Sequence, residues 1–105
     1  MKLLMVIVNN DDSSTVQKAL ATNGYFATKL ASTGGFLMSG NTTFIIGVAD
    51  EMVDKVLEII GTYSKKRQEI LPANEVMGSY PSSSIEITVG GATIFVLNVE
   101  RFEKL

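Results

Sequence analysis

Residues 28–48 read TKLASTGGFLMSGNTTFIIGV, a segment that joins two strand-like runs through a loop rich in glycine and hydroxyl side chains. The first run, 25–30, alternates in polarity, and the second, 42–48, is rich in β-branched and aromatic residues, as strands are. A two-residue turn would suffice between such strands, whereas the intervening 31–41 is much longer. Because glycine lets backbone N–H groups approach an anion closely, this segment indicates a binding site without a catalytic group.

A strand and a helix are predicted on each side of this segment. Leu3 to Val8 is a continuous apolar run, typical of a central strand, and residues 11–14 offer N-cap side chains for a helix that ends at Gly24. Asp50 is predicted to cap a second helix, which has an apolar stripe and ends at Gly61. The chain therefore alternates between strands and helices on both sides of the glycine segment.

The last third of the chain predicts a long loop followed by two strands. Residues 62–83 contain both prolines and are predicted to be loop, 85–89 alternate in polarity, and 92–99 form a strong final strand. The order is that of an α+β, ferredoxin-like βαββαβ sandwich with an extra strand before the last. We expect a single domain over residues 1–105 with loops at 31–41 and 62–83.

Two short helices cover only one face of a sheet of this kind. The predicted strands at 3–8 and 92–99 are nevertheless apolar on both faces. An apolar sheet face that is not covered by the chain itself must be covered by something else, and a second copy is the simplest solution. The sequence therefore predicts an oligomer.

Composition excludes several classes of function. The chain has 105 residues, 46% of them hydrophobic and 19% charged, and a net charge of −2 gives no basic field for nucleic acid. Histidine and cysteine are absent, which removes the commonest general base, thiol nucleophiles and the commonest metal ligands. No stretch approaches the ~18 apolar residues of a membrane span. We expect a soluble cytoplasmic protein that is not an enzyme, holds no metal and does not insert into membranes.

Most charged side chains of the sequence have simple structural explanations. Helix capping explains the acidic residues near helix starts better than catalysis or metal binding does; these are Asp11, Asp12, Asp50, Glu51 and Asp54. The basic cluster 65–67 is assigned to a solvated loop rather than to a phosphate clamp. Lys29 is a lone cation on the strand that enters the glycine segment, and it is a candidate for charge near a ligand phosphate. The hydroxyl and amide side chains around it are candidate hydrogen-bonding groups; these are Thr28, Ser32, Thr33, Asn41 and Thr42.

Three motifs carry a family resemblance. TKLASTGGFL at 28–37, GNTTF at 40–44 and VGGATIFV at 89–96 closely resemble those of the PII-like cyclic-di-AMP receptor proteins of Gram-positive bacteria. The resemblance covers nearly the whole chain. It implies a ferredoxin-like homotrimer without known catalytic activity, which binds cyclic-di-AMP in clefts between subunits. Ligand binding would rearrange loops that engage a protein partner, which the sequence does not identify.

The resemblance also implies roles for particular residues. Thr28 and Asn41 would hydrogen-bond the ligand, and the nucleobase pocket would be lined by Gly35, Phe36 and Leu37. No cofactor other than the nucleotide ligand is implied.

Further implied contacts involve close backbone approach and a neighbouring subunit. Gly47 would permit close approach of the ligand, and Gly91 and Phe95 would approach it from the next subunit. Gly24 and Phe26 depart from the family pattern, which has asparagine and arginine at these positions. Loss of a charge-assisted hydrogen bond typically costs about 1.5–3 kcal/mol, so the departure predicts a lower affinity.

Two alternatives to a cyclic-di-AMP signalling module stay open. One is a PII-like regulator that binds ATP or ADP. The other is a structural trimer that has lost nucleotide binding, in which residues 36–38 fill a protein interface.

Overall fold

A computed structural model of the chain describes residues 1–30, 40–72 and 84–105, without the side chains of 69–72 and 84–89. Its elements are β1 (Lys2–Asn9), α1 (Asn10–Thr22), β2 (Thr28–Lys29), β3 (Asn41–Val48), a 3₁₀ turn (Asp50–Met52), α2 (Val53–Tyr63), β4 (Arg67–Pro72), β5 (Ser84–Val89) and β6 (Ala92–Asn98). An antiparallel sheet has the order β2-β3-β1-β6, and β4 pairs with β5 in a separate two-stranded sheet. The predicted ferredoxin-like α+β fold is confirmed.

The core lies between the two helices and one face of the four-stranded sheet. Alternate residues of β1 are fully buried on this face, and the register places Val6 opposite Phe44 and Leu4 opposite Ile46. Because side chains alternate across a strand, these residues share one face and meet the apolar stripes of the helices. The helical contributions are Val16 and Leu20 from α1, and Val56, Ile59 and Ile60 from α2.

The opposite sheet face is apolar and only partly covered. We call it the open face; it consists of Leu3, Met5, Ile7, Ile45, Phe95 and Leu97. The first four side chains are half-buried, whereas Phe95 and Leu97 are 53% and 44% exposed. The helices cover one face of the sheet, and apolar side chains remain exposed on the other. This is the arrangement from which the sequence predicts an oligomer.

The helix ends differ in detail from the prediction. The N-cap of α1 is Asn9, whose side-chain oxygen accepts a hydrogen bond from the Asp11 N–H at 2.8 Å, so the cap precedes residues 11–14. Gly24 follows α1 with φ +87°, as expected of a residue after a helix. Helix α2 does not end at Gly61, because the buried Ser64 holds its last turn by donating a hydrogen bond to the Ile60 carbonyl oxygen.

Asp50 does not cap α2 as predicted. It opens the 3₁₀ turn that precedes the helix, and no described side chain caps either element. Its carboxylate instead pairs with the amino group of Met1 at 2.8 Å. This contact holds the pKa of Asp50 below its usual value.

One predicted strand and one predicted loop also differ in the structure. The strand predicted at 25–30 is limited to Thr28–Lys29, because Tyr25 and Ala27 pack against the core instead of pairing along β3. The segment 62–83, predicted to be loop, contains the end of α2 and the strand β4. Strand β4 lacks a clear alternation of its own and forms through pairing with β5, from Arg67 opposite Val89 to Pro72 opposite Ser84.

An ion pair joins the first turn of α1 to the start of β4. Asp12 is buried, 7% exposed, and its two carboxylate oxygens accept hydrogen bonds from the Arg67 guanidinium at 3.1 and 3.3 Å. Asp12 therefore does more than stabilise the N-terminus of α1. Arg67 belongs to the start of β4 and not to a solvated loop. Paired carboxylate and guanidinium groups give this contact a defined orientation.

We expect Asp12→Asn to lower the free energy of unfolding by about 1–3 kcal/mol. This value lies between those for surface ion pairs and for fully buried ion pairs, because the Arg67 side chain is 41% exposed. Asp11→Asn is the matched control, since Asp11 is exposed in the same helical turn. Urea unfolding of the two variants measures the difference. An equal effect of both substitutions would show that only the helix dipole is involved.

Candidate functional site

The first candidate site is a cleft of about 360 Å³ at the end of β1, which we call the polar cleft. It brings together two residues predicted to contact the ligand, Asn41 and Gly91. The other lining residues are Ile7, Val8, Asn9, Lys66, Gly90, Ala92 and Thr93. The cleft therefore combines amide and hydroxyl side chains with one charged side chain.

Sheet register sets the position of Asn41 in the polar cleft. Asn41 begins β3 directly opposite Asn9, the last residue of β1 and the N-cap of α1. The preceding Gly40 has φ +88°, and its carbonyl oxygen accepts a hydrogen bond from the Asn10 N–H at 2.8 Å. The backbone on the N-terminal side of Asn41 is thus tied to the start of α1.

The Gly90-Gly91 corner forms another wall of the polar cleft. Both glycines have positive φ, +86° and +83°, and the Gly91 N–H donates a hydrogen bond to the Ser64 carbonyl oxygen. A Cβ added at Gly90 would overlap the Lys65 carbonyl oxygen and lie 2.8 Å from Arg67 Nη1. The corner therefore needs glycine both for its backbone conformation and for its close packing on residues 64–67.

Lys66 is a cleft residue that sequence reasoning missed. It follows α2 within a cluster assigned to solvated loop, but it lines the polar cleft beside Gly91. Its neighbour Arg67 instead pairs with Asp12. The sequence carried a weak signal, because the basic cluster is the densest positive charge in the chain, but its proximity to Gly91 depends on tertiary structure.

A second candidate site lies at the other end of the four-stranded sheet, which we call the apolar pocket. Its volume is about 350 Å³, and it brings together Thr28 and Gly47. The remaining lining residues are Met1, Leu3, Phe26, Ile45, Ile46, Val99 and Phe102. Two of them, Phe26 and Phe102, are 78% and 63% exposed. Exposed aromatic rings beside a hydroxyl suit a flat apolar group with a polar edge.

Phe95 lies on the open face in the same row as Thr28. The register runs across the sheet from Phe95 to Met5, Ile45 and Thr28. Three strand spacings separate the ends of this row, which corresponds to roughly 14 Å. One chain therefore does not bring Phe95 into contact with Thr28.

Lys29 lies apart from the two candidate sites, whereas Gly47 lines the apolar pocket. Lys29 pairs with Phe44, so it faces the side of the sheet opposite to Thr28, and it lines neither of the two sites. A Cβ at Gly47 would make only an ordinary contact with Met1 Sδ at 3.8 Å. Packing against the described residues thus does not require glycine there. Gly35, Phe36 and Leu37 lie outside the described residues.

Residues 1–30, 40–72 and 84–105 contain no group of three acidic, histidine or cysteine side chains that would hold a metal ion. Over the same ranges, no helix is both long and apolar enough to cross a bilayer.

Comparison with known proteins identifies the family. The family model described as cyclic-di-AMP receptor matches residues 1–105. The chain belongs to the cyclic-di-AMP receptor family. It is also similar to the crystal structure of a functionally unknown protein from Pediococcus pentosaceus ATCC 25745, at 41% identity and a TM-score of 0.77. That match covers 99% of this chain and 96% of the other, and it supports the fold. Membership of a receptor family supports a regulatory role based on nucleotide binding.

We expect Gly90→Ala to destabilise the protein more than Gly24→Ala does. Both glycines have φ near +86°, so alanine at either position carries about 1–2 kcal/mol of backbone strain. A Cβ at Gly24 meets no atom of the described residues within 4 Å, whereas one at Gly90 overlaps Lys65, which adds a packing cost of about 1–3 kcal/mol. Urea unfolding measures the difference, and equal losses would contradict close packing at this corner.

Proposed function

We propose that this member of the cyclic-di-AMP receptor family is a non-catalytic signalling protein. It binds cyclic-di-AMP, and binding changes loop conformation so that a protein partner is regulated. The observation that carries the proposal is the family match, which extends over residues 1–105. The nucleotide is the only small molecule that this role requires, so no cofactor is included in the proposal.

The chemistry of the two candidate sites supports this ligand. Cyclic-di-AMP carries two phosphates and two flat adenine bases, and it therefore needs polar or positive groups as well as apolar surfaces. The polar cleft offers the Asn41 amide, and the apolar pocket offers the Thr28 hydroxyl beside aromatic rings. We assign hydrogen bonds to these two side chains, close approach to Gly47, and the nucleobase pocket to Gly35, Phe36 and Leu37.

The distribution of the site residues supports binding between subunits. Thr28 and Phe95 lie roughly 14 Å apart on the open face, so a compact ligand at Thr28 is out of reach of the same chain's Phe95. In a cyclic trimer, Phe95 and Gly91 of one subunit would approach the ligand held by the next. Such a trimer would also cover the open face, whose Phe95 and Leu97 are exposed in one chain.

We expect sedimentation equilibrium to give a mass close to three times 11.3 kDa. Leu97→Asp is expected to shift this mass toward that of one chain, because it places a charge on an apolar surface buried in the trimer. Glu100→Asp, at an exposed position just beyond β6, is the control and should leave the mass unchanged. A monomeric wild-type protein would contradict assembly through the open face.

Cyclic-di-AMP is expected to raise the unfolding temperature of the wild-type protein in a thermal-shift titration. A ligand present at a hundred times its Kd stabilises the folded state by about 2.7 kcal/mol. Parallel titrations use ATP and ADP, which distinguish a mononucleotide-binding regulator. They also include cyclic-di-GMP, which has the same phosphates but other bases.

Each outcome of this titration has a defined meaning. A shift with cyclic-di-AMP alone supports the proposed function and a base-specific pocket. A shift with ATP or ADP alone would favour a PII-like regulator of mononucleotides. The absence of any shift at millimolar nucleotide would overturn the nucleotide-binding role and leave a structural trimer.

A further inference from the structure

We propose that Lys66 supplies the positive charge that binds a phosphate of the dinucleotide in the polar cleft. This inference rests on the proposed function and deepens it by naming the group that meets the ligand's charge. Lys66 is a residue that the resemblance does not assign to the site.

The charge of the polar cleft favours an anionic ligand group. Lys66 is the charged residue in its lining, and no Asp or Glu is among the described residues that form its walls. The Lys66 ammonium forms no ion pair with a described carboxylate, while Asp12 nearby in the fold is already engaged by Arg67. A cation with no compensating acid among the described residues favours occupation of the cleft by an anion.

The stem of Lys66 packs on the Gly91 wall of the polar cleft. A Cβ added at Gly91 would lie 3.0 Å from Lys66 Cγ and 3.2 Å from its Cε, so the aliphatic stem lies directly over this glycine. Any larger residue at 91 would displace the stem. The stem thus runs along the wall that contains Gly91, in the cleft that Asn41 and Thr93 also line.

Anchors on both sides of Lys66 hold its backbone in place. The Ser64 carbonyl oxygen accepts a hydrogen bond from the Gly91 N–H, and Arg67 is paired with the buried Asp12. A flexible lysine loses conformational entropy when it binds an anion, and an ordered backbone reduces that cost. Asp12 and Arg67 therefore act as positioning residues in this proposal, because Asp12 holds Arg67 and Arg67 also donates a hydrogen bond to the Lys65 carbonyl oxygen.

Isothermal titration calorimetry of the full chain with cyclic-di-AMP tests the inference. Lys66→Gln is expected to weaken binding about ten-fold or more, the usual effect of removing one charge-assisted hydrogen bond. Lys65→Gln is the matched control, because Lys65 is exposed, equally charged and absent from the lining of the cleft; it should change Kd less than two-fold. Lys66→Arg keeps the charge and should retain most of the affinity.

Salt dependence provides a readout that a change in folding would not produce. Added salt screens a charge pair, so the wild-type Kd should rise with ionic strength more steeply than that of Lys66→Gln. Urea unfolding of each variant without ligand confirms that the folded state is intact. Equal salt dependence of the two proteins would contradict a direct contact between the ammonium and phosphate.

A double-mutant cycle tests the positioning role of Asp12. Asp12→Asn should weaken binding several-fold in the wild-type background and have little further effect with Lys66→Gln. Equal effects in both backgrounds would show that Asp12 acts independently of Lys66.

Failure of this inference is distinguishable from failure of the proposed function. If the wild-type protein does not bind cyclic-di-AMP, the proposed function fails. If it binds but Lys66→Gln matches Lys65→Gln, the function stands and the assignment of Lys66 is overturned.

Discussion

The alternation of side chains along β1 is the constraint on which the rest of the structure depends. This strand is central and pairs with β3 on one side and β6 on the other. Leu4, Val6 and Val8 face the helices, so the residues between them must face the opposite side. A shift of one residue in register would exchange the two faces and expose the core. The same alternation that forms the core therefore also creates an apolar open face.

The length of β1 also determines how the candidate site is divided. The polar cleft lies at its C-terminal end, beside Val8, and the apolar pocket lies at its N-terminal end, beside Leu3. Five residue-to-residue steps along the extended strand separate these positions, which is roughly 17 Å. Residues with complementary chemistry are thus held rigidly apart in one chain. A proposed site that uses both kinds of residue is most simply completed by a neighbouring copy.

The sequence predicted the elements whose signals are local, and it missed the contacts that connect distant segments. The apolar run of β1 and the stripe of α2 identify those elements without reference to the rest of the chain. Strand β4 has no such pattern in its sequence. Its pairing with β5 stabilises it instead. Asp12 and Arg67 are separated by 55 positions, and neither shows a partner in the linear sequence. Long-range packing of the same kind places Lys66 in the lining of the polar cleft.

In the proposed site, the polar cleft and the apolar pocket offer different chemical groups to the ligand. Phe26 is 78% exposed and lies beside Thr28 in the apolar pocket, at a position where the family resemblance implies arginine. An aromatic ring there offers stacking surface instead of charge. Lys66 offers charge in the polar cleft, where its stem rests on Gly91. If the ammonium meets the phosphate at the polar cleft, the apolar pocket is left to contact the bases. The replacement of arginine by Phe26 then changes where charge is supplied rather than removing it from the site.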